Sequence, residues 1–487
     1  MDFTCIVLFL ALYHIKPQEW TSVFATVRFV QLVMFASLLT LFFRERSLKP
    51  RDFFRTPHDW AVYLFLLCMV ISSPTPMDTL KDEVFSKLIF YVVTVQTLYS
   101  LARVNKFLGW WTVFLVITAF LAIAGEYFWD PLGSWDKTHS NSLKGRLILN
   151  ISTVNNPNAL AHALAPALAM LYYFTIWKRS VFLKALGIGG LALVTFTIYL
   201  TLSKGGFLAT GATIMAMLTF GRPKSMQIVI ASVLVMLASA IAYQLPRMTE
   251  LKSTKGDGAI QGRVASFTHG YHYYQSNILG VGYGQFIKRQ LSEYKLHKAP
   301  HSVYNNIGSE MGKPGLFLFL LIMWSNFKTL VFMKSQSVEQ ERARRVLFTL
   351  VLSYAISGWM VDFAYRPSFF LFTAAIAVFH RLYCIKQEEV VETDEPTHTW
   401  RTRPVENLVA LPSPVMQLAA LPATPSPSYM ELMQLRSPSG FQQSASEETS
   451  IEAEKKTHEG FSFKDLAVTL VALKAVEMVW VYSINHF

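Results

Sequence analysis

The chain has 487 residues, of which 52% are apolar and only 16% are charged. This composition excludes an ordinary soluble domain and is typical of an integral membrane protein. The formal net charge of +12 could suggest a nucleic-acid partner. However, the basic residues are distributed over short connections between apolar runs, so we predict an all-α membrane protein that binds no nucleic acid.

Apolar runs long enough to cross a hydrocarbon layer of about 30 Å recur along the first 385 residues. They predict about twelve transmembrane helices. The first run is interpreted as a retained span, because the N-terminus lacks the basic region and small-residue cleavage site of a signal peptide. The predicted spans lie near residues 3–16, 21–43, 59–74, 84–101, 107–128, 158–177, 181–202, 205–220, 225–245, 314–333, 345–364 and 367–384.

Basic residues follow every second predicted span. Clear examples are Lys178 and Arg179 after the sixth span and Arg344 and Arg345 after the tenth. The positive-inside rule then places these connections and the N-terminus in the cytoplasm. Three notable connections, at residues 129–157, 203–206 and 246–314, are then predicted to face the outer side. Every motif discussed below lies on that side.

The C-terminal region differs in composition from the rest of the chain. Residues 386–462 are rich in Pro, Ser and Glu, which predicts a disordered cytoplasmic tail after a membrane domain at residues 1–385. Residues 463–487 contain an apolar helix in which Lys474 and Glu477 are spaced to pair. This helix is either a thirteenth span or a helix lying in the membrane interface. The three cysteines, Cys5, Cys68 and Cys384, predict neither a disulfide nor a thiol metal site.

His301 is the first candidate for chemistry. It follows Pro300 at the outer end of a predicted span, and Gly312, Pro314 and Gly315 are expected to break the helix before the apolar run. Irregular backbone at that depth is tolerated where it lines a cavity. Because imidazole titrates near neutral pH, His301 could act as a general base. The alternative is a histidine that is hydrogen-bonded to loop backbone.

Two cations on the same side could bind an anionic ligand. Arg263 begins a segment that predicts a short helix along the outer membrane surface, with the aromatic residues Phe267, Tyr271 and Tyr274 at headgroup level. Its guanidinium could hold a phosphate or simply contact lipid headgroups. Lys204 lies in the turn between two spans, ahead of Gly205 and Gly206, where backbone amides and a helix N-terminus could receive an anion. The alternative is an ordinary turn with a lysine that extends to the interface.

The remaining candidates are polar residues of the 129–157 connection and its neighbours. Arg146 is a further outer cation, and Asn158 is expected to cap the sixth span.

The GVGYG stretch at Gly280–Gly284 is only superficially similar to a dinucleotide-binding loop, since no strand precedes it. No carboxylates have the spacing of a metal or two-acid site, so we predict neither metal nor cofactor.

Taken together, these motifs resemble the bacterial O-antigen ligase and polysaccharide polymerase superfamily. The resemblance covers about residues 20–385 and is carried by GRL followed by NNPNALA, LSKGG, GRVASF with NILGVGYGQF, and PHSVYNNIGSEMGKPGL, in that order. It implies a GT-C-like multispanning glycosyltransferase of the inner membrane with a periplasmic catalytic loop at residues 246–313. Two positions depart from the family pattern: Lys204 stands where arginine is usual, and Ser302 stands where asparagine often follows the histidine.

The resemblance also implies a reaction and its participants. The donor is a glycan on undecaprenyl diphosphate, and the acceptor is a lipid, a glycan or a protein hydroxyl. His301 would be the base in an inverting, metal-independent displacement, and Arg263, Lys204 and Arg146 would contact the diphosphate. Tyr304, Asn305 and Asn158 would position the acceptor or the loops. Membrane lipids and other polysaccharide-assembly proteins are the expected partners.

Three questions remain open at this stage: which transfer reaction the enzyme would catalyse, whether the protein is a transporter, and whether it is a scaffold. The enzyme could be a ligase or a polymerase of surface polysaccharide, or a ligase that glycosylates protein. A secondary transporter also fits about twelve spans, although it predicts mid-membrane ionisable residues that the runs here almost lack. An inactive scaffold whose tail recruits assembly partners is the third.

Overall fold

A computed structural model describes residues 2–20, 24, 27–43, 53–244, 258–384 and 461–486. Met1–Ile385 and Glu459–Phe487 form one compact unit. Residues 385–460 lie outside the described residues, so the predicted disordered tail at 386–462 stays a prediction. The same holds for residues 245–257 within the predicted catalytic loop.

The described residues form helices and no strand, in agreement with the predicted all-α class. Before the first site motif lie α1 (Asp2–His14), α2 (Phe29–Phe42), α3 (Pro57–Ser72), α4 (Phe85–Thr97) and α5 (Leu101–Tyr127). They are followed by α6 (Pro157–Leu171), α7 (Val181–Leu200), α8 (Lys204–Thr219), α9 (Lys224–Gln244), α10 (Gly258–Ser276) and α11 (Phe286–Tyr294). The last four are α12 (Val303–Phe332), α13 (Val338–Ser357), α14 (Pro367–Tyr383) and α15 (Phe463–His486).

Short helical turns complete the described elements. A 3₁₀ turn lies at Pro17–Glu19, and single turns of α-helix lie at Pro76–Thr79 and Ser134–Thr138. Two segments are π-helical: Leu80–Val84 directly precedes α4, and Tyr172–Ile176 directly follows α6.

Five helices of the described part are long and apolar enough to cross a membrane: Leu101–Tyr127, Pro157–Ile176, Val181–Leu200, Val303–Phe332 and Phe463–His486. Shorter apolar helices occur at Phe29–Phe42, Pro57–Ser72, Lys224–Met236 and Pro367–Tyr383. The apolar helices therefore indicate a multi-pass membrane protein. The count of about twelve spans and the periplasmic position of the loop remain predictions.

Helix starts follow from local capping chemistry. Thr56 and Asp59 form a reciprocal capping box at the start of α3, with Pro57 in the first helical position. Serine side chains accept the hydrogen bond of a first-turn amide at α5, α8, α12 and α13. These short oxygen-bearing side chains satisfy amides that have no partner inside the helix.

Helix α12 is broken at Gly312, which has φ 63° and ψ −157°. A side chain at this φ would be strained, and Pro314 has no amide hydrogen to donate to the carbonyl of Glu310. The GVGYG stretch supplies the missing bonds. Val281 N donates to Ser309 O at 2.8 Å, and Gly282 N donates to Glu310 O at 3.0 Å. This stretch therefore completes the hydrogen bonding of the broken helix.

The helix break is expected from the sequence, but the position of the helix start is not. We predicted a span from residue 314, whereas α12 begins at Val303 and includes most of the VYNNIGSEMG motif. The polar motif is helical because Ser302 caps it and because its side chains are buried between neighbouring helices.

The bundle has two ends that differ in how their charges are arranged. The paired end, as we call it, is where α3 begins and α14 finishes. There the carboxylate of Asp59 accepts hydrogen bonds from Arg381 at 2.8 Å and from Tyr91 at 2.8 Å. Glu341 likewise binds both Arg344 and Arg345, each at 2.7 Å. At the opposite end, the site end, α6, α8 and α12 begin.

Candidate functional site

The loop that carries Arg146 is attached to the starts of α6 and α8. Nη2 of Arg146 donates to Oδ1 of Asn158 at 2.9 Å, and its Nε donates to the carbonyl of Thr201 at 3.0 Å. Oγ of Ser203 donates to the same Asn158 oxygen at 2.8 Å. Asn158 thus joins the segments that carry Arg146 and Lys204, and its positioning role stays a prediction.

The capping role expected of Asn158 is wrong. The N-cap of α6 is Asn156, whose side chain accepts from the amide of Asn158 at 2.8 Å, and Pro157 occupies the first helical position. Proline at that position leaves Asn158 inside the first turn. Its side chain is therefore available for Arg146 and Ser203.

Lys204 is the first residue of α8 and follows the cap Ser203. The amide of Gly206 is already bound by Oγ of Ser203 at 3.1 Å. The glycines of this turn also allow close packing against α6: a Cβ at Gly205 would lie 3.1 Å from Nε2 of His162. The small glycines therefore let α6 and α8 approach each other closely. The anion-binding role that the sequence suggested stays a prediction.

His301 lies in the connection before α12 and is partly buried. Its φ of 55° is in the left-handed region, which is costly for a residue with a side chain. The next two residues hold this backbone in place. Oγ of Ser302 and the amide of Val303 donate to the carbonyl of Gly358 at 2.9 and 2.7 Å. The end of α13 thus fixes the histidine at the site end.

Asn305 connects the His301 loop to the helix that carries Arg263. Its Nδ2 donates to the carbonyl of Pro300 at 2.8 Å and to the carbonyl of Ser266 at 3.2 Å. Oγ of Ser266 in turn donates to the carbonyl of Ala299 at 2.8 Å. These three bonds hold α10 and the His301 loop together, and the role of Asn305 in catalysis stays a prediction.

The local charge around His301 is positive. Burial lowers the pKa of His301 to about 4, and the charges of Arg263 and Lys298 act in the same direction. The imidazole is therefore neutral at neutral pH and can accept a proton. The bonds of Asn305 place the Arg263 helix and the His301 loop side by side.

Residues 189–320 match a family model described as O-antigen ligase. This segment is therefore similar to O-antigen ligases. It includes Lys204, Arg263 and His301, whereas Arg146 and Asn158 precede it in the chain. No curated protein matches the chain. The O-antigen ligase match supports the family resemblance of the motifs that lie within residues 189–320 and implies a ligase or polymerase of glycans.

Other histidines of the matched segment have different surroundings. His269 hydrogen-bonds to Gln290 at 3.1 Å and stacks on Tyr294 with ring centroids 3.7 Å apart. His272 and His297 are exposed. Among the described histidines of the loop, His301 is the one whose pKa is lowered by Arg263.

Tyr304 packs against the end of α13 and the residues that follow it. Its hydroxyl donates to the carbonyl of Ala355 at 2.9 Å, and its ring stacks on Trp359 with centroids 4.5 Å apart. The side chain is 6% exposed. Tyr304 therefore attaches α12 to the end of α13, so any effect on an acceptor would be indirect.

His162 is a site residue that we did not predict. It is 3% exposed, and its Nδ1 lies 2.8 Å from Oγ of Ser357. Within the described chain, its Nε2 has no hydrogen-bond partner, and this nitrogen faces the first turn of α8. A cavity of about 80 Å³ adjoins it. The available signal was its place in NNPNALAHAL, one helical turn beyond Asn158, where it shares a helix face with that residue.

The aromatic residues after Arg263 were expected at headgroup level, and this expectation is wrong for Phe267 and Tyr274. Both are buried, with exposures of 9% and 0%. Tyr274 lies against Trp480 of the C-terminal helix, with ring centroids 5.5 Å apart. The helix α10 is present as predicted, but it packs against α12 and α15.

Proposed function

We propose that this protein is an inner-membrane glycosyltransferase that transfers a glycan from undecaprenyl diphosphate to an acceptor at the periplasmic face, as a ligase or polymerase of surface polysaccharide. The observation that carries the proposal is the O-antigen ligase match at residues 189–320, which includes Lys204, Arg263 and His301. The apolar helices support the membrane location. A polyprenyl donor is confined to the bilayer, so an enzyme that uses it would act there.

The donor diphosphate would bind near His301, where Arg263 and Lys298 contribute positive charge. Several positive charges in a partly buried site favour an anionic ligand. Arg263 would contact the diphosphate, with Lys204 at the start of α8 as a second cation. Arg146 is held by Thr201 and Asn158, so it would contribute mainly long-range charge.

His301 would act on the acceptor hydroxyl. In this inverting displacement the acceptor oxygen forms a bond to the anomeric carbon while the bond to the diphosphate oxygen breaks. The acceptor proton passes to the imidazole, and the departing diphosphate takes the bonding electrons. A base whose pKa is about 4 accepts this proton only as the acceptor oxygen gains positive charge. Fixed cations would stabilise the leaving group without a metal.

The proposal can be tested by transfer in liposomes. Purified protein would receive a radiolabelled undecaprenyl-diphosphate glycan and host acceptors with chelator present throughout. Labelled product in the presence of chelator is the expected result, and its identity would distinguish ligation to lipid or protein from polymerisation. His301→Ala should lose transfer while it still binds donor. His297→Ala, which alters an exposed histidine of the same loop, should retain it.

One outcome would contradict the proposed function, and another would contradict only the role of His301. Absence of transfer by a folded parent protein with every host acceptor would favour a transporter or a scaffold. Equal rates for His301→Ala and the parent would remove the base assignment but leave the transferase in place.

A further inference from the structure

The C-terminal helix α15 is docked along α12 by one narrow stripe of side chains. The buried members recur at helical spacing, and residues such as Val471 and Met478, each 70% exposed, face away. This pattern is that of a helix with one face on protein and the rest toward lipid. The buried stripe consists of Asp465, Thr469, Leu473, Val476 and Trp480.

One end of this stripe is attached to the paired end of the bundle. The carboxylate of Asp465 accepts from Nε1 of Trp324 at 2.9 Å and from Nζ of Lys328 at 2.8 Å. Thr329, the next residue of α12, contacts His380 near the end of α14 at 2.9 Å. The two chain ends that flank residues 385–460 therefore lie at the same end of the bundle, and α15 runs from there toward the site end.

The other end of the stripe contacts the helix that carries Arg263. Nε1 of Trp480 donates to the carbonyl of Phe267 at 3.0 Å. The hydroxyl of Tyr274 donates to Glu477 at 2.5 Å. Gly308 of α12 makes room for the indole, because a Cβ there would lie 2.9 Å from Cζ3 of Trp480. Trp480 itself is 0% exposed.

Helix α10 is thus held on two sides at adjacent residues. Asn305 of α12 binds the carbonyl of Ser266, and Trp480 of α15 binds the carbonyl of Phe267. Phe267 lies one helical turn after Arg263, so both bonds fix the part of α10 from which the guanidinium extends. A shift of α10 would move the cation relative to His301, and such misplacement is costly to a reaction that depends on orientation.

We propose that α15 is a positioning element of the active site: Trp480 and Glu477 hold α10 against α12 so that Arg263 stays in register with His301. This inference rests on the proposed transferase function. It assigns the helix a role beyond anchoring, and it makes Trp480 a positioning residue that acts through Arg263. Lys474 completes the contact by pairing with Glu477 at 2.7 Å.

The first test uses conservative changes in the full chain. Trp480→Phe keeps an aromatic ring but removes the Nε1 donor, and we expect kcat/KM for the polyprenyl donor to fall about fivefold, the usual worth of one hydrogen bond. Gly308→Ala should displace the indole and lower kcat/KM at least as much. The matched controls are Met478→Ala on the exposed face of α15 and Gly211→Ala, where an added Cβ meets no atom within 4 Å. Both controls should match the parent.

A second measurement separates positioning from general destabilisation. Trp480→Phe would be combined with Arg263→Ala, and a residue that acts through Arg263 should cause no further loss in that background. Losses that multiply independently would overturn the inference. So would parental kcat/KM in both Trp480→Phe and Gly308→Ala, and in that case the proposed function would stand. A parent without any transfer would overturn the proposed function itself and with it the role of α15.

Discussion

The two ends of the bundle differ in the groups that surround their titratable side chains. At the paired end, the carboxylate of Asp59, with 0% exposure, binds Arg381 and Tyr91. At the site end, His301 is influenced by the cations Arg263 and Lys298, and no carboxylate contributes to its lowered pKa. Breaking a buried ion pair is costly because it leaves one charge without compensation, whereas cations beside a partly buried base favour an anionic ligand.

The largest expected effect concerns the paired end. Asp59→Ala removes the partner of Arg381 and leaves a charge without compensation, which should lower the free energy of unfolding by about 3–5 kcal/mol. Thermal unfolding in detergent would measure this loss. Transfer per folded molecule should be unchanged. A reduced turnover in the folded fraction would break the division between a stabilising end and a reacting end.

At the site end, Arg263→Ala should reduce kcat/KM at least about 100-fold, the effect typical of removing one preorganised group that stabilises transition-state charge. The matched control is Arg289→Ala, because Arg289 is exposed and pairs with Glu293 at 2.9 Å on the same loop. Steady-state transfer with varied donor would measure both. Equal losses in the two variants would contradict a specific diphosphate contact by Arg263.

Replacing Lys204 should have a smaller effect. Lys204→Ala removes one cation at the start of α8, and we expect KM for the donor to rise about tenfold, as for one charged hydrogen bond. Lys204→Arg restores the residue usual in the family and should match or exceed the parent. Donor-binding measurements in liposomes would check both. A parental KM in Lys204→Ala would leave only the packing role of this turn.

The pH dependence gives the smallest effect near neutrality. Because the pKa of His301 is about 4, the imidazole stays unprotonated above that value, and kcat/KM should fall only as pH drops through about 4. Lys298→Gln removes one cation, so it should raise the pKa of His301 and move the acid limb toward neutral pH. An acid limb near 6.5 in the parent would show that His301 titrates without the influence of burial and Arg263.

The helices could be predicted because apolar runs of the right length leave few alternatives. The start of α12 could not, because VYNNIGSEMG is too polar to be recognised as part of a span and is helical only through the Ser302 cap and burial. The bonds from Val281 and Gly282 to α12 join segments distant in sequence. No local pattern specifies such pairing.

The residues of the candidate site could be predicted from the sequence, but the contacts between them could not. Motif order pointed to Arg263, His301 and Lys204, but Asn305 as the connection between α10 and the His301 loop depends on tertiary contact. His162 was missed because a histidine in an apolar run reads as core. The helix at residues 463–486 was left as either a span or an interfacial helix, and its docking on α12 depends on side chains far apart in the chain.

The most direct measurement of the central claim is a double-mutant cycle of Arg263→Ala and His301→Ala in the liposome transfer assay. Residues that act together on one transition state lose their effects non-additively. We predict that the double variant is no slower than the slower single variant, with chelator present throughout. Losses that multiply fully would contradict a single reaction site formed by the two residues.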